Sequence, residues 1–181
     1  MKRLLSGIAS RLLLVGLGMA VPTAAEAAPY CGISWGSNSE TRSGYSTSHL
    51  KNLRTGKHDC YDRLVIDLDH RVTGYSVKYV SAVRRPGSGS VVSLAGAADL
   101  QITLNAPAYD DSGRATYSPA RPNTAVNVAG YRTFRQVALA GSFEGETTLG
   151  LGVRARLPMR VTVLNGPGSG SRIVVDVAHR W

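Results

Sequence analysis

Five separate runs of this chain alternate apolar and polar side chains with a period of two, and that pattern confines it to β-structure. Leu64, Ile66 and Leu68 alternate with Val65, Asp67 and Asp69. Tyr75, Val77 and Tyr79 alternate with Ser76 and Lys78, and Leu100, Ile102 and Leu104 with Gln101, Thr103 and Asn105. Leu149, Leu151 and Val153 alternate with Gly150, Gly152 and Arg154, and Ile173, Val175 and Val177 with Val174, Asp176 and Ala178. Successive strand side chains point to opposite faces, so each run can line a core with one face only. The separating segments, Arg85-Pro-Gly-Ser-Gly-Ser90, Tyr109-Asp-Asp-Ser-Gly113 and Asn165-Gly-Pro-Gly-Ser-Gly170, carry turn chemistry. A longer irregular connection spans 107–128, and residues 133–140 fit a short helical turn or a strand equally well. These elements predict an all-β β-sandwich of about seven to nine mostly antiparallel strands.

The N-terminus has a different grammar. Met1-Lys2-Arg3 precedes an apolar stretch from Leu4 to Val21, and small residues close it at Ala27-Ala28. This is the layout of a cleaved secretory signal over 1–27, which leaves no transmembrane anchor after cleavage. Its removal takes Lys2, Arg3, Arg11 and Glu26 with it and reduces the formal charge from +9 to +7. Residues 28–56 are rich in Ser, Thr, Gly and Asn without sustained periodicity and read as an arm before a domain over 57–181. In an oxidising compartment the two cysteines, Cys31 and Cys60, are expected to form a disulfide that ties this arm to the domain.

One internal similarity stands out. Residues 62–72 line up with 171–181 through the identical pairs Arg63/Arg172, Val65/Val174, Asp67/Asp176, His70/His179 and Arg71/Arg180. Two readings are open: a true internal symmetry, or two strands independently built to one recipe.

No catalytic constellation is legible, so the chain is read as a non-enzyme without cofactor or metal. His-Glu-x-x-His is absent. A Cys60 nucleophile beside His58 is ruled out if Cys60 is oxidised, and Asp110-Asp111 lacks the ligand set of a calcium loop. A wall-acting hydrolase would need a cleft holding Glu144, Glu146 or Asp110. Binding is the better reading. Arg132, Arg135, Arg154, Arg156 and Arg160 fall within about thirty residues, interleaved with Tyr131, Phe134 and Phe143. On a strand over 147–156, Gly150, Gly152, Arg154 and Arg156 would share the face away from the core and leave room for a carboxylate-bearing ligand. The predicted ligand set is therefore Arg132, Arg135, Arg154 and Arg156, with Tyr131 and Phe134 as stacking surface. Nothing resembles a recognition helix or an RNA-binding signature, so nucleic acid is not an expected partner.

The ordered motifs Cys31-Gly-Ile-Ser-Trp-Gly36, His58-Asp-Cys-Tyr-Asp-Arg-Leu-Val-Ile-Asp67, Pro107-Ala-Tyr-Asp110, Gly130-Tyr-Arg-Thr-Phe-Arg135, Ser142-Phe-Glu-Gly145, Thr148-Leu-Gly-Leu-Gly-Val-Arg154 and Arg172-Ile-Val-Val-Asp-Val177 together resemble the AMIN-like domain of exported actinobacterial proteins. That family is similar to the AMIN domain, a β-sandwich attached to cell-wall amidases and secretin-type assemblies. The resemblance implies that 57–181 is an AMIN-like sandwich at the cell envelope. It further implies contact with peptidoglycan or an associated anionic polymer. An envelope protein is the alternative partner, met as an inhibitor or assembly factor.

Overall fold

The computed structural model describes residues 28–72 and 74–181; the expected signal segment 1–27 lies outside the described residues. Eleven strands follow in chain order: β1 (Glu40–Arg42), β2 (Leu50–Lys57), β3 (Tyr61–Leu68), β4 (Tyr75–Val80), β5 (Val83–Arg84), β6 (Val91–Val92), β7 (Ala98–Leu104), β8 (Phe134–Phe143), β9 (Glu146–Val153), β10 (Met159–Asn165) and β11 (Ser171–Ala178). Nine of them form two sheets, ordered β1-β4-β7-β9-β8 and β10-β11-β3-β2, and β5 pairs with β6 as a small third sheet. Every pairing is antiparallel.

The alternation explains the sandwich. Leu64, Ile66 and Leu68 of β3 and Ile173, Val175 and Val177 of β11 share one core with Leu100, Ile102 and Leu104 of β7 and Leu149, Leu151 and Val153 of β9. Burying a side chain of this size stabilises by about 1.5–3 kcal/mol, so the stripe of each strand suffices to hold its sheet against the other.

Two expectations need correction, and one open alternative is decided. Leu50–Lys57 is a full edge strand, not part of an arm; Leu50 and Leu53 enter the core, and a register shift between Leu50 and Asn52 disguises the period. Residues 133–140 take the strand alternative as the start of β8. The strand expected over 147–156 ends at Val153, so Arg154 and Arg156 do not continue the face of Gly150 and Gly152. That face is also covered. Residues 93–97 and the β5–β6 pair close over it, with Val83, Val92, Ala138 and Ala140 forming a second small core. A Cβ on Gly150 would press on Leu94, and one on Gly152 would overlap the Ala95 carbonyl oxygen. The glycines make room for the protein's own backbone, not for a ligand.

The Cys31–Cys60 disulfide is present, with its Cα atoms 6.2 Å apart. It fastens the segment before β1 to the β2–β3 turn. Further along, the segment is held by its own contacts: Met159 N–H donates to the Gly36 carbonyl at 2.7 Å, and Val161 N–H to Glu40 Oε1 at 3.2 Å.

The repeated segments are neighbours. β3 and β11 pair with Val65 opposite Val174, Arg63 opposite Asp176 and Asp67 opposite Arg172. In that register the two Arg-aliphatic-Val-aliphatic-Asp strands are exchanged by a local twofold axis through the Val65–Val174 pair.

Candidate functional site

Antiparallel strands return their loops to two poles. The turn 58–60, the loop 129–133, the connection 154–158 and the C-terminus after Ala178 meet at one of them, because Tyr61 pairs with Ala178 and Phe134 with Val153. Arg132, Arg154, Arg156 and Arg180 belong to these segments, and Lys57 ends β2 beside the turn 58–60. A buried carboxylate organises the pole from inside. Asp62 accepts the Thr133 N–H at 2.6 Å and the Phe134 N–H at 3.1 Å on one oxygen, and its other oxygen lies 3.2 Å from His179 Nε2. The Asp59 carbonyl collects Tyr30 Oη at 3.3 Å, Arg132 Nη1 at 3.3 Å and His179 Nδ1 at 3.1 Å. His58, Cys60 and Asp62 are thus a structural knot: a disulfide, a buried acceptor and a turn.

The sequence-predicted arginines separate into groups here. Arg132, Arg154 and Arg156 reach the pole and remain exposed. Arg154 also donates to the His179 carbonyl, and Arg156 donates to Ser37 Oγ and the Ser37 carbonyl, each at 3.0 Å. The Arg156 guanidinium lies 5.1 Å from the Tyr79 ring centroid, a cation–π distance. Arg135 turns its Nη1 to the carbonyls of Tyr131, Arg132 and Phe134 at 3.2, 3.3 and 2.9 Å and so braces its own loop. Tyr131, Phe134 and Arg135 line one shallow cavity of about 630 Å³. Phe134 itself is 1% exposed and packs in the core, stacked 5.8 Å from Tyr131. Tyr131 is the ring of that pair that keeps an accessible part; its hydroxyl donates to Thr55 Oγ1 at 2.9 Å.

The outer face of the β10-β11-β3-β2 sheet carries a charge array that the sequence only hinted at. Arg63 grips Asp176 with Nε and Nη2 at 2.7 and 2.9 Å, and Arg160 Nη2 adds a third bond at 2.7 Å. The hydrogen bond to Asp176 drives the Arg63 guanidinium's pKa up despite partial burial. Arg160 stacks 4.2 Å from the Trp35 ring, which lies 5.5 Å from Tyr61. Trp35 was legible only as part of a motif, because its neighbours show no strand period.

The opposite pole is acidic. A cavity of about 370 Å³ is lined by Asp111, Glu144, Glu146, His49 and Asn105 among others. Asp110 is not in it. Its carboxylate accepts Ser112 N–H at 2.9 Å, Arg114 N–H at 3.0 Å and Arg114 Nε at 3.0 Å, and the Arg114 backbone bond leads the effects that hold its pKa below the usual range. Among the described residues no group of three or more His, Cys, Asp or Glu is placed to hold a metal ion, and no helix is long and apolar enough to cross a membrane.

Set beside known proteins, residues 48–179 match the family model described as the AMIN-like domain. No curated protein and no solved structure matches the chain. The matched span begins inside the stretch expected to be an arm and takes in all of β2.

Proposed function

The chain belongs to the AMIN-like domain family, and from that premise we propose that it is an exported, non-catalytic binding module of the cell envelope, contacting peptidoglycan or an anionic wall polymer. The observation that carries this reading is the gathering of Lys57, Arg132, Arg154, Arg156 and Arg180 at one pole, on a chain of formal charge +9. Outside the cytoplasmic membrane the abundant anions are wall polymers and peptide-stem carboxylates, and guanidinium forks suit both. The disulfide supports an oxidising compartment. Tyr131 and the Tyr30–Arg180 pair, 4.5 Å apart, add ring surface at the same end.

The test is co-sedimentation with purified sacculi, stripped and unstripped of wall polymers, across a salt series. Retention on stripped sacculi at high salt is expected, with loss when Arg154→Ala and Arg156→Ala are combined, and further loss with Arg132→Ala. Release at modest salt, or only with the polymers, marks mere attraction of a basic protein to an acidic wall. A hydrolase reading has one favouring observation, the cavity shared by Asp111, Glu144 and Glu146. Soluble fragments released from sacculi, and abolished by Glu146→Gln, would replace the binding reading with it.

A further inference from the structure

The local twofold relating β3 to β11 is broken at one place, and the break leaves a guanidinium without a partner. Arg63 holds Asp176 by a two-point fork. The symmetric partners, Arg172 and Asp67, also lie opposite each other, yet they make no ion pair. Arg54 of the edge strand has taken Asp67 instead, with Nε and Nη2 each 2.6 Å from a different carboxylate oxygen. Arg172 is half-buried, and its Nε is shielded from solvent with no acceptor in reach. Its side chain has no hydrogen bond or ion pair among the described residues.

A shielded N–H without an acceptor is destabilising and calls for an explanation. Arg160 Nε shares this condition, but the Arg160 side chain still reaches Asp176 through Nη2. Arg172 also has space before it. It lines a cavity of about 380 Å³ together with Asp67, Leu68, Asp69 and the hairpin residues 166–171, a size within the range of small-molecule sites. The acids there are already engaged. Asp67 is neutralised by Arg54, and Asp69 accepts from His49 N–H at 2.7 Å and lies 3.0 Å from His49 Nδ1 and 3.1 Å from His70 Nδ1.

We propose that Arg172 and the β10–β11 hairpin form a carboxylate-binding site, in which a ligand carboxylate docks on the accessible Nη1/Nη2 edge of the Arg172 guanidinium while its Nε stays shielded. The guanidinium edge fits a planar two-oxygen carboxylate, the group that Asp176 presents to Arg63 on the symmetric side. The carboxy terminus of a short peptide and a sugar acid both supply one. The assignment stands apart from the basic pole, on a different part of the molecule.

The site makes an unusual demand on Arg54, which touches no ligand: without it, Asp67 is released to pair with Arg172 and the site closes on itself. The test follows the Arg172 Nε–Hε NMR resonance of the full-length disulfide-bonded chain during titration with N-acetylalanylalanine, its C-terminal amide and glucuronate. A saturable shift with a carboxylate and none with the amide is expected. The tighter of the two carboxylates identifies the peptide or sugar source. Arg172→Gln, read by backbone resonances of 166–171, should weaken binding at least about tenfold. Arg54→Ala should weaken it too, and adding Asp67→Asn should restore it. Equal response to the amide, no response to either carboxylate, or an Arg54→Ala chain that binds like the parent overturns the proposal. The Arg54 series decides the matter even where Arg172→Gln fails to fold. Sacculus retention is read separately, so either assignment can fail alone.

Discussion

Asp176 is 1% exposed and is held by Arg63 from the neighbouring strand through two hydrogen bonds of 2.7 and 2.9 Å. The Arg54–Asp67 pair has equal geometry but lies at the sheet edge, with the Arg54 side chain 53% exposed. Burial, not distance, separates the two. Removing a partner from a buried carboxylate leaves a charge that water cannot solvate, whereas an exposed pair is replaced by solvent.

Arg63→Ala should therefore destabilise by about 2–3 kcal/mol, moderated by Arg160, which stays on Asp176. Arg54→Ala should cost less than about 1 kcal/mol. Urea unfolding of the two variants measures the difference. Equal losses would place Asp176 in a better solvated site than its burial indicates.

Gly152 tests the covering of the β1-β4-β7-β9-β8 sheet. A methyl group there overlaps the Ala95 carbonyl oxygen, while at Gly150 it meets the movable end of Leu94. Gly152→Ala should destabilise by about 1–3 kcal/mol, as overpacking does, and shift the amide resonances of 93–97. Gly150→Ala should be the milder change. A harmless Gly152→Ala would show that 93–97 lifts off the sheet readily.

Replacing Cys31 and Cys60 by Ser should lower stability by about 3.6 kcal/mol, the chain-entropy value for a loop of this length, and should raise hydrogen exchange in residues 28–39. The strands should persist, because the core draws nothing from the disulfide. Loss of the far-ultraviolet β signal in the double variant would contradict this.

Acid should act through Asp69. Burial pushes its carboxyl up, but the hydrogen bonds from the His49 backbone N–H and from the His70 and His49 rings outweigh that and hold its pKa below the usual carboxylate range. A carboxyl depressed in the folded state stabilises above its unfolded pKa of about 4, and that stability is lost as pH falls through the lower folded value. Asp69→Asn should be less stable than the parent at neutral pH, and the gap should close toward about pH 2. A gap independent of pH would assign the loss to packing alone.

The period-two runs determined the all-β class, both strands of the repeated motif and most of the core, because alternation is a local property that each strand carries in its own residues. The disulfide was equally legible, since two cysteines leave one pairing. Tertiary structure decided what lies on the outer faces. Whether Gly150 and Gly152 opened a groove depended on where Leu94 and Ala95 came to rest, and Phe134 belonged to the core although its neighbours Tyr131 and Arg135 share its cavity. Most of all, the sequence contains two equivalent Arg and Asp pairs, yet only the edge strand's register brings Arg54 to Asp67 and leaves Arg172 unpaired. Pairing between strands is a long-range choice, set by which partner reaches a carboxylate with the better geometry, and no local pattern records it.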